Sequence, residues 1–145
     1  MEMYSYCPVH LKQCAELFVK VFNASPWNDK WTTEKAAVLL TRFSNMPDFK
    51  GFVGEIDGKI AGACFGYKKM WWWGEEYYIE EMYIAQEHQR SGLGSKLMKY
   101  IEDVLKEENI TAITLSTGRS TPAKDFYLKN SFYVVEDIIF MKKRI

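Results

Sequence analysis

Residues 80–108, EEMYIAQEHQRSGLGSKLMKYIEDVLKEE, constrain the fold more than any other stretch. Tyr77, Tyr78, Ile79, Met82, Tyr83 and Ile84 are aromatic, β-branched or apolar, as a half-buried strand requires. Gln89-Arg90-Ser91-Gly92-Leu93-Gly94 breaks that pattern. Leu93, Leu97, Tyr100, Ile101, Val104 and Leu105 then recur at spacings of three and four, one apolar face of a helix. The unit is strand, glycine loop, helix.

That arrangement has a chemical consequence. The first turn of a helix presents N–H groups with no intrahelical partner, and its aligned peptide dipoles make that end partly positive. Glycine lacks a Cβ, so Gly92 and Gly94 let a large anion lie against the main chain. Arg90 and Lys96 add charge. The natural ligand is a phosphate or pyrophosphate. No Gly-Lys-Ser/Thr follows, so the loop is not a P-loop. Leu97 stands where the dinucleotide fingerprint needs its third glycine. Spacing alone leaves open whether the loop holds a ligand or only opens a helix.

The segment resembles motif A of the GNAT N-acetyltransferases: Gln or Arg, two residues, Gly, one residue, Gly or Ala. Gln89, Gly92 and Gly94 fill it. Downstream, Ala123, Phe126, Tyr127, Asn130 and Phe132 resemble the family's second block, A-x-x-F-Y-x-x-x-x-F. The resemblance covers about Val53 to Phe140, more loosely the N-terminal third. It implies acetyl-coenzyme A as cofactor and an amine as acceptor. The main chain of Arg90, Ser91, Gly92, Leu93, Gly94 and Ser95, with Gln89, would bind the pyrophosphate. Met82, Tyr83 and Ile84 would pair with the pantetheine arm, and Ser120, Ala123, Phe126 and Tyr127 would line the cofactor's other side. Many family members carry asparagine where this chain has Ser120, so a side-chain contact to the cofactor there is in doubt.

The resemblance also implies catalytic roles. Family bases commonly sit on the central strand. Unbroken alternation puts Tyr78, Glu80, Met82 and Ile84 on one face and Ile79, Glu81 and Tyr83 on the other. Glu80 is then the expected base, with Glu81 attracting the cation; the bland alternative is two solvated carboxylates. Tyr127 matches the tyrosine that protonates the leaving thiolate, and a phenol pKa near 10 lies close to that of a thiol. The bland alternative is a packing tyrosine.

Composition narrows the class. The 145 residues suit one domain spanning residues 1–145. Nineteen basic residues balance nineteen acidic ones, which argues against a nucleic-acid binder. No apolar run approaches the roughly 20 residues of a membrane span, and Met1–Tyr6 does not open a signal peptide. Cys7, Cys14 and Cys64 have neither paired nor metal-type spacing, so reduced, buried thiols in a cytoplasmic protein are expected, with no metal.

The element order reads β-α-α-β-β-β-α-β-α-β-β. Asp57-Gly58 makes one hairpin, and Phe132–Val135 with Ile138–Lys142 make a terminal one. The class is α+β: a mixed, mostly antiparallel sheet with a parallel central pair, flanked by helices. The resemblance implies that the pair splays apart. Trp27, Asp29, Trp31, Trp72, Tyr78 and Glu81 form the expected substrate site, apolar-walled and acidic, for a small cationic amine such as an aminoglycoside or polyamine, or for a protein lysine or N-terminus. Trp27 and Trp31 could instead plug the gap between helices. Three successive tryptophans cannot share one strand face, so at least one of Trp71–Trp73 should be exposed; family habit and such aromatics suggest a homodimer. Two other readings compete. One is a coenzyme A sensor or scaffold with this fold and no turnover. The other is a nucleotide-binding protein using the same helix end.

Overall fold

The computed structural model describes residues 1–145. Five strands form one sheet in the order β1 (Glu2–Ser5), β2 (Phe49–Ile56), β3 (Lys59–Trp71), β4 (Gly74–Ile84) and β5 (Ala112–Leu115). The first four are antiparallel neighbours; β4 and β5 are parallel. That parallel pair follows from the crossover through α3 (Leu93–Glu107), because a helical connection returns the chain in the same direction. The expected α+β class and parallel pair are present.

The helices divide between the two faces. A single 3-10 turn, Pro8–His10, precedes α1 (Leu11–Phe22). Thr32 caps α2 (Thr33–Ser44), its hydroxyl accepting the Lys35 N–H at 3.2 Å. Cys14, Phe18, Ala36 and Leu40 pack with Val53, Ala63, Phe65 and Tyr83 on one face of the sheet. On the other, Leu97, Met98, Ile101 and Leu105 of α3 pack with Phe52, Cys64, Tyr77 and Ile79. α4 (Pro122–Lys129) begins with proline in its first turn, where no N–H is missed. No helix is long and apolar enough to cross a membrane.

The Trp71–Trp73 stretch is exposed as expected, and three expectations need correction. β3 runs to Trp71 and pairs with Gly74, so Trp72-Trp73 is the tip of a tight hairpin. All three tryptophans are exposed, where at least one was expected to be; Trp71 and Trp73 stack at 5.4 Å, and Trp72, 91% exposed, meets the Trp73 ring edge-on at 5.3 Å. Cys14 and Cys64 are buried as expected, but Cys7, just before the first helical turn, is exposed. The terminal hairpin is absent: residues 132–145 form no strand, and their backbone hydrogen bonds are Phe132 N–H to Tyr127 and Ile138 N–H to Val135.

The third correction bears on the site. The register between β3 and β4 slips after Phe65: Phe65 opposes Glu81 and Gly66 opposes Ile79, leaving Glu80 without a partner. This is a β-bulge, and it resets the alternation. Tyr77 and Ile79 pack towards α3, and so do Met82 and Ile84 beyond the bulge. Tyr83 packs towards α1 and α2, and Glu81, opposite Phe65, shares that side. The regular alternation expected from sequence fails at Glu80.

Candidate active site

Pairing between β4 and β5 ends at Ile79–Leu115. Beyond that point Glu80–Ile84 has a strand neighbour only on β3, so its other edge borders a gap. A cleft of about 260 Å³ opens there. Its walls are Ile79, Glu80, Glu81 and Met82 of β4, Leu115–Gly118 at the end of β5, Ala123 and Tyr127 of α4, and Phe22 with Trp27 from the end of α1.

The bulge brings both carboxylates to this cleft. Glu81 is half-buried, and no salt bridge or hydrogen bond within the chain reaches it. Burial first, then the charges of Glu80 and Asp29, push its pKa up to about 7. Glu80 is more open. Burial raises its pKa as well, but Lys69 opposes the rise. Lys69 is fixed over the Tyr78 ring, 4.9 Å from its centroid. Across the cleft, the Tyr127 ring is held edge-to-face by Phe126 and Phe132, each at 5.2 Å, and its hydroxyl makes no hydrogen bond within the chain. Burial, then Cys64 and Glu81, raise its pKa well above the ordinary value. Tyr127 therefore stays protonated across the working range, and it is a weaker acid than the bare phenol considered from sequence.

At the other end of the gap lies the glycine loop. Arg90 and Gly92 have left-handed backbone, φ 62° and 88°, and turn the chain into α3. The N–H groups of Arg90, Gly92, Leu93, Gly94 and Ser95 have no partner within the chain. A Cβ on Gly92 would meet nothing within 4 Å, so the concave side of the turn is open. These are the requirements of a diphosphate cradle, and the residues fit that group. Gln89 braces the loop, its Nε2 donating to the Ile84 carbonyl at 3.1 Å. Gly94 serves differently from expectation: a Cβ there would lie 2.9 Å from Phe126 Cε2, so this glycine admits α4 against α3 rather than a ligand.

Of the other candidates, Trp27 lines the cleft, Asp29 acts on it through charge, and Tyr78 lies beside its rim, its hydroxyl 3.5 Å from Ser116 Oγ. Trp31 is held by Asn23, which exchanges hydrogen bonds of 2.8 and 2.9 Å with its backbone, and its ring packs on Phe18 at 5.1 Å. It plugs the helix gap. Trp72 sits at the hairpin tip, outside the cleft. Ser120 does not cap α4; Thr121 takes the N-cap position, and its hydroxyl donates to the Gly118 carbonyl at 2.8 Å. Sequence reasoning missed Phe22 and Ser116–Gly118. Phe22 is indistinguishable from a core position of α1. Ser116–Gly118 follow a parallel strand's carboxyl end, where sites in parallel sheets gather, a signal that could have found them.

The acetyltransferase (GNAT) family model matches residues 11–132. A thialysine N-ε-acetyltransferase from Sus scrofa is 26% identical over 98 residues, 61% of this chain and 58% of that relative. An aminoglycoside acetyltransferase from an uncultured soil metagenomic sample, solved with sisomicin, superposes with a TM-score of 0.76 at 20% identity over 99% of this chain and 95% of that one. An aminoglycoside 6'-N-acetyltransferase from Acinetobacter haemolyticus gives 0.79 at 15% identity, over 100% and 99%. Those structures share the fold, and the family match spans the loop, the cleft and α4: the chain is a member of the GNAT acetyltransferases.

Proposed function

We propose that this protein moves an acetyl group from acetyl-coenzyme A to a primary amine of a small cationic acceptor. The observation that carries this is Glu81: a half-buried carboxylate, unpaired within the chain, facing a cleft that also holds a protonated Tyr127. Acetyl-coenzyme A, when bound, supplies an acyl group already activated as a thioester. The free N–H groups from Arg90 to Ser95 would hold its diphosphate, and the open edge of Met82–Ile84 would take its amide-bearing arm as a strand takes a neighbour.

An amine is mostly protonated at neutral pH and cannot attack until it loses a proton. We assign that proton to Glu81 rather than Glu80. A carboxylate poised near 7 is a stronger base than a solvated one, and still ionised enough to act. Glu80 and Asp29 then supply the negative field that draws the ammonium in. Tyr127 Oη donates a hydrogen bond to the departing sulfur and so stabilises charge as it develops. Phe22 and Trp27 give the acceptor an apolar wall.

The acceptor class follows from sign and size. Two adjacent carboxylates with Asp29 nearby repel anions and favour a polycation. The aminoglycoside and thialysine enzymes this chain resembles act on amines, which supports the same class; polyamines and protein lysines or N-termini present the same group. We place the protein in the cytoplasm, where free Cys7, Cys14 and Cys64 remain reduced. The test is release of free thiol from acetyl-coenzyme A across a panel of aminoglycosides, polyamines and lysine peptides. Turnover with at least one cationic amine is expected. Binding of coenzyme A with no release above the amine-free rate would favour a sensor instead.

A further inference from the structure

Two opposite charges stand at the rim of the cleft without meeting. Along β3, Phe65, Tyr67, Lys69 and Trp71 alternate onto the side of the sheet that carries α1 and α2, the side that Glu81 shares. Lys69 lies directly opposite Glu76 in the register, the position of a cross-strand ion pair, yet the two form none. Instead Lys69 leans to its diagonal neighbour Tyr78. Its Nζ stands 4.9 Å from that ring's centroid and 5.7 Å from the centroid of Trp71. Lys68, on the opposite face, does pair, with Glu75 at 3.6 Å. Tyr78 borders the cleft, and Glu80, which lines it, feels the Lys69 charge. No salt bridge closes between Lys69 and Glu80, and neither makes one elsewhere in the chain. The two rings attract the ammonium through their faces and leave its N–H donors free for an anion.

We propose that Lys69 is a second recognition point of the acceptor site and binds a carboxylate carried by the acceptor, so that the preferred substrate is an amino acid with an amine at the end of its side chain. This rests on the acetyl transfer proposed above and narrows its acceptor. One ligand bearing both signs closes what the chain leaves open: its side-chain amine goes to Glu80 and Glu81, its carboxylate to Lys69. A flexible side chain separates the two charges as the site does, with Glu81 in the cleft and Lys69 on the rim. A bare anion is repelled by Glu80, Glu81 and Asp29, so the carboxylate must arrive with an amine. A plain diamine brings its second positive charge towards Lys69 and gains nothing there. Lys69 is half-buried against the sheet, so a pair it forms is screened less than one on open surface.

The test is acetyl transfer on the full chain, with kcat and KM read from thiol release. The acceptors are lysine and ornithine, their carboxamides, which keep both amines and lose the negative charge, and cadaverine and putrescine, which lack the carboxyl carbon altogether. The better of the two amino acids should exceed its carboxamide and its diamine in kcat/KM by at least about fivefold, with the difference in KM. Lys69→Met keeps an apolar stem over the rings and removes the charge; it should bring the three acceptors of that set within about twofold of one another. Lys69→Arg should retain the preference. Comparing acceptors within each protein cancels any effect of Lys69 on Glu80, which all of them share. Equal use of amino acid and carboxamide by the parent overturns the proposal, as does a preference that survives Lys69→Met. Turnover of polyamines or aminoglycosides with none of lysine or ornithine overturns it too, and leaves the acetyl transfer standing. No turnover with any amine overturns both.

Discussion

Glu81→Gln should make the protein more stable and nearly inactive. Glutamine keeps the shape of the side chain and removes its charge. An unfolded glutamate titrates near 4.5; in the fold, burial and two neighbouring carboxylates bring Glu81 up to about 7. Between those values the folded state holds a proton that the unfolded state has released, so stability falls as pH rises through the window and is level on either side. At about 1.4 kcal/mol per pH unit, the gap corresponds to up to about 3 kcal/mol withdrawn above pH 7. The variant lacks this slope. For a chain of this length that is roughly 6 to 12 °C in melting temperature at pH 8, shrinking towards zero at pH 4.5 and below. Thermal melts of both proteins at pH 4.5 and pH 8 measure it. Thiol release with the preferred amine should fall by about a hundredfold or more, and the acidic limb of kcat/KM near pH 7 should vanish. A variant no more stable at pH 8 than at pH 4.5, relative to the parent, would refute the claim that this carboxylate is held out of water. Stabilisation with full activity would refute its role as base.

Tyr127→Phe should lower kcat at least about tenfold and leave coenzyme A affinity nearly unchanged, read by steady-state kinetics and calorimetry; equal turnover removes the phenol from the mechanism. Gly92→Glu puts bulk and negative charge in the open turn and should abolish coenzyme A binding by calorimetry. Its stability should drop only by about 1 to 2 kcal/mol, the cost of a side chain at φ 88°. Retained affinity would mean that the turn is not the diphosphate cradle. Gly94→Ala must displace Phe126 and should cost about 1 to 3 kcal/mol in denaturant melts, a cost relieved when Phe126 is also shortened to leucine.

The parts of the fold that were readable from sequence are those fixed by local chemistry. The α3 face, the Asp57-Gly58 turn and the glycine loop depend on residues within a few positions of one another. What was not readable depends on a partner strand. The bulge at Glu80 is set by Phe65 and Gly66 on β3, and no pattern within β4 reports it. The expected terminal hairpin fails for the same reason: Phe132–Val135 and Ile138–Lys142 read as strands locally, but neither pairs with the sheet. Trp31 and Trp72 look alike in sequence. Asn23 and Phe18 hold one against the core, half-buried, and a two-residue turn pushes the other into water.

The same bulge underlies the amine site proposed for this strand. With regular alternation Glu80 and Glu81 would point to opposite faces, one of them into the apolar layer under α3. The slipped register turns both into a single cleft, where like charges press on each other and on Asp29. A protein with only folding to satisfy would not keep that arrangement, since each carboxylate raises the cost of ionising the next. In the proposed reaction a cation entering between them would relieve the repulsion, and on giving up its proton to Glu81 would leave a neutral nucleophile beside the place where β4 parts from β5. Folding strain and reactivity therefore share one origin, the unpaired residue at position 80.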